Sequence, residues 1–148
     1  MKGDEGVIEL LNEALRNELT ATNQYWLHYR MLDNWGVARL AAFERHESID
    51  EMKHADRLAE RVLFLGGLPN FQMLDRLADL DVELEAVPQL KRAVAHCEIV
   101  QDYVSRDLFA EILRNEEEHV DALETFFEMI ERMGLQNFIQ LQSRPAED

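Results

Sequence analysis

Two short motifs place a carboxylate and an imidazole where both could bind one metal ion. They are Glu51 with His54 and Glu116 with His119, each of the form Glu-x-x-His. On a helix, residues three apart share one face, so both side chains can reach the same ion. One such pair alone is a weak indication, because the chain has 30 acidic residues and chance pairs are common.

The spacing between glutamates is a stronger indication of a metal site. Glu18 lies 33 residues before Glu51, and Glu83 lies 33 residues before Glu116. If each half of the chain is a helical hairpin, its two glutamates lie at the same height. Two packed hairpins then bring together six side chains, namely Glu18, Glu51, His54, Glu83, Glu116 and His119. This is the ligand set of di-iron and di-manganese carboxylate proteins built on ferritin-like bundles.

The chemistry of these six side chains favours two iron ions. Buried ionisable groups cost many kcal/mol unless they are paired, and two divalent ions would offset that cost. Carboxylates suit iron and can bridge two ions, while imidazole suits iron as well as zinc. No cysteine lies near the set, which disfavours a structural zinc site. The alternative is that all six side chains are solvated surface groups.

The hydrophobic pattern predicts helices through nearly the whole chain. Asp4 and Asp102 are candidate N-caps, and Gly66-Gly67 followed by Pro69 is a strong stop signal. We therefore predict one all-α domain, residues 1–148: a ferritin-like four-helix bundle with one long crossover, which makes helices two and three parallel, and a short C-terminal fifth helix. The predicted helices span about residues 5–33, 37–65, 80–100, 103–133 and 136–143.

Composition excludes several classes of protein. The net charge of −15 argues against binding nucleic acid or an anionic membrane surface, both of which require basic patches. No apolar run of about 18 residues is present to span a membrane. Cys97 is the single cysteine, so no internal disulfide can form. With no signal peptide at the N-terminus, these features predict a cytoplasmic protein.

Three further positions could take part in the chemistry. Tyr25 lies two helical turns after Glu18, where it could hydrogen-bond a ligand or donate an electron, although a core tyrosine is an equal alternative. His46 and Asp50 form an i, i+4 pair that could be an outlying iron site or a simple hydrogen bond. His28 and His96 follow no ligand pattern, and we interpret them as ordinary histidines.

Several segments together resemble the bacterioferritins, the haem-containing branch of the ferritins. They include NQYWLHYRM at 23–31, HESIDEMKHAD at 46–56, FLGGLPN at 64–70 and EEEHVDALE at 116–124. The resemblance implies a ferroxidase that binds Fe²⁺ at the six ligands, oxidises it with oxygen or peroxide, and stores Fe³⁺ as a mineral. It also implies a shell of 24 subunits, with His46 and Asp50 as iron ligands on its inner surface.

Met52 carries the resemblance to the haem-containing branch. The resemblance implies that Met52 from two subunits ligates one haem b at a two-fold interface, and that a ferredoxin delivers electrons for iron release. The alternative is an interface methionine that packs without haem. Trp26, Thr22 and Arg45 depart from the family pattern near this position. Arg45 could pair with a haem propionate or obstruct the pocket.

The region between Leu77 and Glu83 is about eleven residues shorter than the family pattern. We therefore expect helix three to start near the metal site, with Glu83 in its first turn and an open site on that side. Pro88 either kinks this helix or marks its real start, because proline removes a backbone donor and clashes one turn back.

Two other functions use the same residues differently. One is a discrete di-iron redox or peroxidase protein of the rubrerythrin type, and the other is an assembly protein with an impaired metal site. The predicted tail helix and the lack of a cysteine-based rubredoxin module favour iron storage.

Overall fold

A computed structural model describes residues 1–75, 77 and 81–145, with the side chains of 81–85 outside that description. In this part of the chain five helices follow one another, and no strand is present. Among these helices, none has the length and apolar character needed to cross a membrane. The helices are α1 (Glu5–Asn34), α2 (Ala38–Phe64), α3 (Asp81–Val100), α4 (Tyr103–Met133) and α5 (Leu135–Gln142).

The helix ends follow from the capping residues that the sequence contains. Asp4 accepts a hydrogen bond from the backbone N–H of Val7 at 2.9 Å, and Asp102 accepts one from Ser105 at 3.0 Å. Each bond satisfies an N–H group that has no partner within the helix. At the other end of α2, Gly66 has φ of 86°, a left-handed conformation that favours glycine. The predicted caps and the stop after α2 are confirmed.

The helices pack as two hairpins, α1 with α2 and α3 with α4, and α3 also packs on α1. Gln89 of α3 donates to the carbonyl of Leu10 at 3.2 Å, and His96 lies 3.0 Å from Asp4, so α3 runs antiparallel to α1. Since α1 and α2 form a hairpin, α2 and α3 are parallel. This confirms the predicted crossover.

The apolar core fills the half of the bundle that contains the start of α1 and the end of α2. The predicted ligands lie next to it, nearer the middle of these helices. The core's fully buried members share the heptad-like spacing expected of core-facing helical positions. The largest are Leu11, Leu15, Leu58, Leu90, Phe109 and Ile112. Truncating a buried side chain such as Phe109 to alanine typically costs about 3–5 kcal/mol. This core holds the four long helices in register, and it thereby sets the heights at which the polar side chains meet.

The connection between α2 and α3 is fixed to α1 at three positions one turn apart. Asn12 donates to the carbonyl of Leu68 at 3.2 Å and accepts from the N–H of Asn70 at 2.9 Å. Arg16 forms an ion pair with Asp75, whose N–H donates to the Thr20 hydroxyl at 2.9 Å. From Asn12 to Thr20 the connection climbs about 12 Å along α1, which brings it close to the height of Glu18.

The start of α3 agrees with the prediction, but one interpretation of Pro88 is wrong. Asp81 begins the helix, so Glu83 lies in its first turn as expected. Pro88 lies inside α3 and does not mark its start. The side chain of Glu83 lies outside the described residues, so its predicted place among the ligands stays a prediction.

Candidate metal centre

Four of the predicted ligands come together in the core between α1, α2 and α4. Ligand atoms of Glu18, Glu51, His54 and Glu116 all lie within 4.8 Å of one another. Their exposed fractions are between 2% and 6%, so water does not solvate the three carboxylates. Carboxylates are almost never fully buried without a partner. The arrangement therefore has the composition of a cation site.

The distances within this group fit a bound ion better than direct hydrogen bonds. The Nδ1 atom of His54 lies 3.6 Å from Oε2 of Glu18 and 3.6 Å from Oε2 of Glu51. All three atoms are buried and have no hydrogen-bond partner among the described residues. At 3.6 Å the pairs are too far apart to bond to each other. One divalent ion, with bonds of about 2.1 Å to nitrogen or oxygen, would satisfy all three.

Asn115 holds the imidazole of His54 from the opposite side, and the sequence did not predict it. Its side-chain amide lies 2.9 Å from Nε2 of His54. The amide atom that faces Nε2 is Nδ2, a donor. Turned by 180° so that Oδ1 faces Nε2, the amide would accept the ring proton and leave Nδ1 free to bind an ion. No periodicity marks Asn115, because it lies directly before Glu116 and is not a metal ligand.

His119 lies beside this group, and a second set of ligand atoms surrounds it. Glu47, Glu51 and His119 also place ligand atoms within 4.8 Å of one another, and Glu51 belongs to both sets. Oε2 of Glu47 is 3.6 Å from Nδ1 of His119. Burial lowers the pKa of His119, and the nearby charge of Glu51 opposes this shift. The ring is therefore kept neutral, as a metal ligand must be.

Glu47 is a further candidate ligand that the sequence analysis missed. It lies one helical turn before Glu51 and so shares its face of α2, which is the signal that could have identified it. Burial, followed by repulsion from Asp50, raises the pKa of Glu47 above its usual value. A nearby cation would relieve both effects.

Tyr25 is buried and contacts His119. Its hydroxyl lies 3.3 Å from Nδ1 of His119, and the two rings meet edge to face at 5.0 Å. Tyr25 therefore contacts a predicted ligand, and its part in the chemistry stays a prediction. A tyrosine at this distance can fix the orientation of the imidazole by hydrogen bonding.

The predicted outlying pair, His46 and Asp50, lies on the surface next to the buried sets. Nε2 of His46 is 3.1 Å from Oδ2 of Asp50, and Glu47 completes a third group of ligand atoms with them. A cavity of about 100 Å³ is lined by Glu47 and Asp50 together with Glu51, His54 and His119. Asp50 of the surface pair and the buried residues of the predicted site thus border one small space.

Met52 points to a different face of α2, away from the ligands. Its side chain is 46% exposed and lines a groove of about 430 Å³ between α1 and α2. The groove wall is mainly apolar and includes Trp26, Leu27 and Ile49. An exposed thioether in an apolar groove has the chemistry to bind a haem iron, if a haem occupied the groove.

The two histidines without a ligand pattern each face a carboxylate, which is exposed for His96 and largely buried for His28. His96 lies 3.0 Å from Asp4 and lowers the pKa of that carboxyl. His28 lies 4.0 Å from Glu44, and burial lowers the pKa of His28. Neither histidine belongs to the ligand groups found among the described residues.

Comparison with known proteins agrees with this architecture. Residues 8–133 match the family model of the ferritin-like domain. The chain is 45% identical to a bacterioferritin of Brucella melitensis over 159 aligned positions that cover 100% of this chain and 99% of the relative. It is 44% identical to one of Rhodobacter capsulatus, covering 99% and 98%, and to one of Mycobacterium avium, covering 98% and 99%. Because this chain has only 148 residues, about eleven positions of the Brucella protein have no counterpart in it.

Proposed function

This chain belongs to the bacterioferritins within the ferritin-like family, and from that premise we propose that it oxidises Fe²⁺ at the buried ligand cluster and stores the product as a ferric mineral. Storage of iron is the function that this family membership supports. The ferroxidase step is the part that the site itself must provide.

The observation that carries the proposal is the set of buried ligand atoms that have no hydrogen-bond partner among the residues that the structure describes. Glu18, Glu51 and His54 turn such atoms toward one another. Without a cation, these carboxylates would be desolvated and would repel one another, which destabilises the folded state. A bound Fe²⁺ would supply the positive charge that balances these carboxylates. The site is in this sense preorganised for its substrate.

We assign the six predicted ligands to two neighbouring iron positions. Glu18, His54 and Glu116 would hold the first iron and His119 the second, while Glu51, which belongs to both groups of ligand atoms, would be shared by them. Glu83, in the first turn of α3, would supply the remaining carboxylate. Glu47, already 3.6 Å from His119, is the carboxylate that could substitute for Glu83 or assist it.

Two irons at one site match the electron requirement of the oxidant. Two Fe²⁺ ions give up one electron each, and the pair reduces O₂ with two protons to H₂O₂, or H₂O₂ with two protons to water. Tyr25 is hydrogen-bonded to a ligand of the second iron, where it can hold a proton or pass an electron. Asp50 borders the same cavity and contacts His46, and this pair would receive iron on the inner surface.

The groove around Met52 fits the apolar face of a haem. In the proposed assembly, Met52 from each of two subunits ligates one haem b. Haem would supply a path for electrons from a ferredoxin to the stored ferric iron, which leaves as Fe²⁺. The complete particle would be a shell of 24 subunits in the cytoplasm. The acidic chain would favour entry of cations into such a shell.

Aerobic addition of Fe²⁺ followed by size-resolved iron analysis tests the proposal. We expect Fe³⁺ to form faster than in buffer alone, and the iron to elute with the protein in large excess over two ions per chain. Retention of only two ions per chain would instead favour a discrete di-iron redox protein. Oxidation no faster than in buffer would refute the ferroxidase function.

A further inference from the structure

One arginine at the rim of the Met52 groove has aromatic contacts but no acidic partner. Arg45 is exposed, and its guanidinium lies 5.8 Å from the ring centre of Trp26 and 6.0 Å from that of Tyr29. Among the residues that the structure describes, no carboxylate forms an ion pair with it. Although the chain has 30 acidic and 15 basic residues, the Arg45 guanidinium lies against aromatic rings.

Helical geometry places this guanidinium along the same groove as Met52. Arg45 precedes Met52 by seven residues, which is two turns of α2 and about 10 Å along one face. Ser48 and Ile49 lie between them on that face and line the groove. Trp26, which contacts Arg45, also lines it. The groove thus has a soft metal ligand in its wall and a cation at its edge.

The stacking holds the cation in place without neutralising it. Arginine planes stack on aromatic faces, and such contacts contribute about 0.5–1 kcal/mol at exposed sites. A guanidinium held this way keeps donors for a carboxylate and presents them in a fixed fork. The groove therefore fits a ligand with a flat apolar body and an anionic edge.

We propose that Arg45 recognises the propionate groups of the haem, and so sets both the orientation of the haem in the groove and its reduction potential. The inference rests on the proposed haem site. Haem has two propionates, and a pair of subunits has two copies of Arg45, so each carboxylate can meet one guanidinium. The opposing possibility is that Arg45 and Trp26 narrow the groove and obstruct haem.

Reconstitution of the haem-free full-length protein with ferric haem and with its dimethyl ester tests this inference. Arg45→Gln should weaken binding of haem by about two- to fivefold for each guanidinium–carboxylate pair lost, the range expected of exposed ion pairs. The same substitution should leave binding of the dimethyl ester unchanged, because its propionates carry no charge. Arg45→Lys should retain most of the affinity.

The midpoint reduction potential of the haem gives a second readout. Loss of packing around the haem would not change this potential as the loss of a positive charge does. A cation near the haem disfavours the ferric form, so Arg45→Gln should lower the midpoint potential while Arg45→Lys should not. Arg132→Gln is the matched control, because it removes the same charge from the last turn of α4, outside the groove.

Three results would overturn the inference. Tighter haem binding by Arg45→Gln would show that the arginine obstructs the groove. Equal haem binding would show that it does not contact the propionates. An equal loss of affinity for haem and its dimethyl ester would assign the effect to contact with Trp26. Failure of the wild-type protein to bind haem would also overturn it, whereas iron oxidation measured in the same preparation would still stand as a separate result.

Discussion

At the scale of single residues, Glu51 occupies the most constrained position in the site. Its carboxylate belongs to both buried groups of ligand atoms, one with His54 and one with His119. A carboxylate in that position can hold two ions at a short separation, as a single-ion ligand cannot. In the proposed site the other ligands would then keep each ion at its own position.

Removing one terminal ligand should abolish rapid oxidation and leave the fold intact. Glu18→Ala deletes a carboxylate of the first iron position, and we expect the rate of Fe³⁺ formation to fall by at least about tenfold. Stopped-flow absorbance measures that rate, and circular dichroism checks the helices. Glu9→Ala, an exposed position on the same helix, should behave as wild type. Oxidation at the wild-type rate in Glu18→Ala would show that this glutamate does not bind the reacting iron.

Met52 should have no part in oxidation, because its side chain lies on another face of α2. Met52→Leu keeps the apolar volume of the groove but removes the sulfur, so we expect the Soret absorption of bound haem to disappear. The initial rate of Fe²⁺ oxidation should be unchanged in the same sample. Slower oxidation in this variant would show that the two sites are not independent.

Glu44 makes stability depend on pH in a direction opposite to that of most carboxylates. Burial, together with repulsion from Glu47, raises its pKa from 4.5 to about 7. Between these values the folded state binds more protons than the unfolded state, so stability falls as pH rises through this window. Glu44→Gln should therefore raise the free energy of unfolding of the metal-free protein by roughly 1–3 kcal/mol at pH 8.

Urea denaturation at several pH values measures this effect. The gain from Glu44→Gln should vanish below about pH 4.5, where the carboxyl is protonated in both states. Glu60→Gln, an exposed position on the same helix, should show no comparable gain. A constant gain at every pH would mean that the amide packs better for reasons unrelated to charge.

At the scale of elements, the sequence predicted the helix bounds, which depend on local capping and stop signals. The bounds of all five helices were placed to within about two residues, because Asp4, Asp102 and the glycines are local signals. The 33-residue spacing predicted that Glu18 and Glu51 would meet for the same reason, since a hairpin relates positions in its two arms, and ligand atoms of these two glutamates lie within 4.8 Å of one another. Glu47 was missed because it stands outside the Glu-x-x-His motif, although its i, i+4 spacing to Glu51 is a local signal. Asn115 was missed because its contact with His54 depends on how α2 and α4 meet across the bundle.

The contacts between α1 and the connection should influence how well α3 is positioned. The Thr20 hydroxyl donates to the Arg16 carbonyl at 2.8 Å and accepts from Asp75 at 2.9 Å. Thr20→Val keeps the shape but leaves the Asp75 N–H without its partner, so we expect the free energy of unfolding to fall by about 1 kcal/mol. Chelators should also remove bound Co²⁺ faster, because Glu83 follows this anchor.

Thr125→Val is the control for this substitution. Its hydroxyl makes the same bond within its own helix, to the Asp121 carbonyl at 2.9 Å, but it is exposed and far from the connection in sequence. It should change neither stability nor chelator access appreciably. Equal effects of the two substitutions would show that the connection does not depend on Thr20.

At the scale of the whole molecule, the single chain leaves many large apolar side chains exposed. Examples are Leu68 at 81%, Ile99 at 79% and Trp35 at 64%. Isolated exposed apolar residues are ordinary, but several on one small protein indicate surfaces that partners cover. Neighbouring subunits of a shell are the partners that the proposed function provides.

The native mass tests this assembly directly. We expect native mass spectrometry and electron microscopy to show a closed particle of 24 chains in the absence of iron, because these interfaces need no metal ligand. A dimer would keep a two-fold haem site but no mineral cavity. A monomer that still oxidises Fe²⁺ would leave the ligand cluster intact as an enzyme and refute the storage shell.

Cys97 can serve as a chemical probe of how often the fold opens locally. The thiol is fully buried in the core of α3, and burial raises its pKa to about 11. Alkylating reagents attack the thiolate, so the closed protein resists them and is labelled only during excursions that expose this helix. Because Cys97 is the sole cysteine, each labelled molecule reports one exposure of this thiol to solvent. The labelling rate, with and without iron, therefore reports how often the helix that carries Glu83 leaves the bundle.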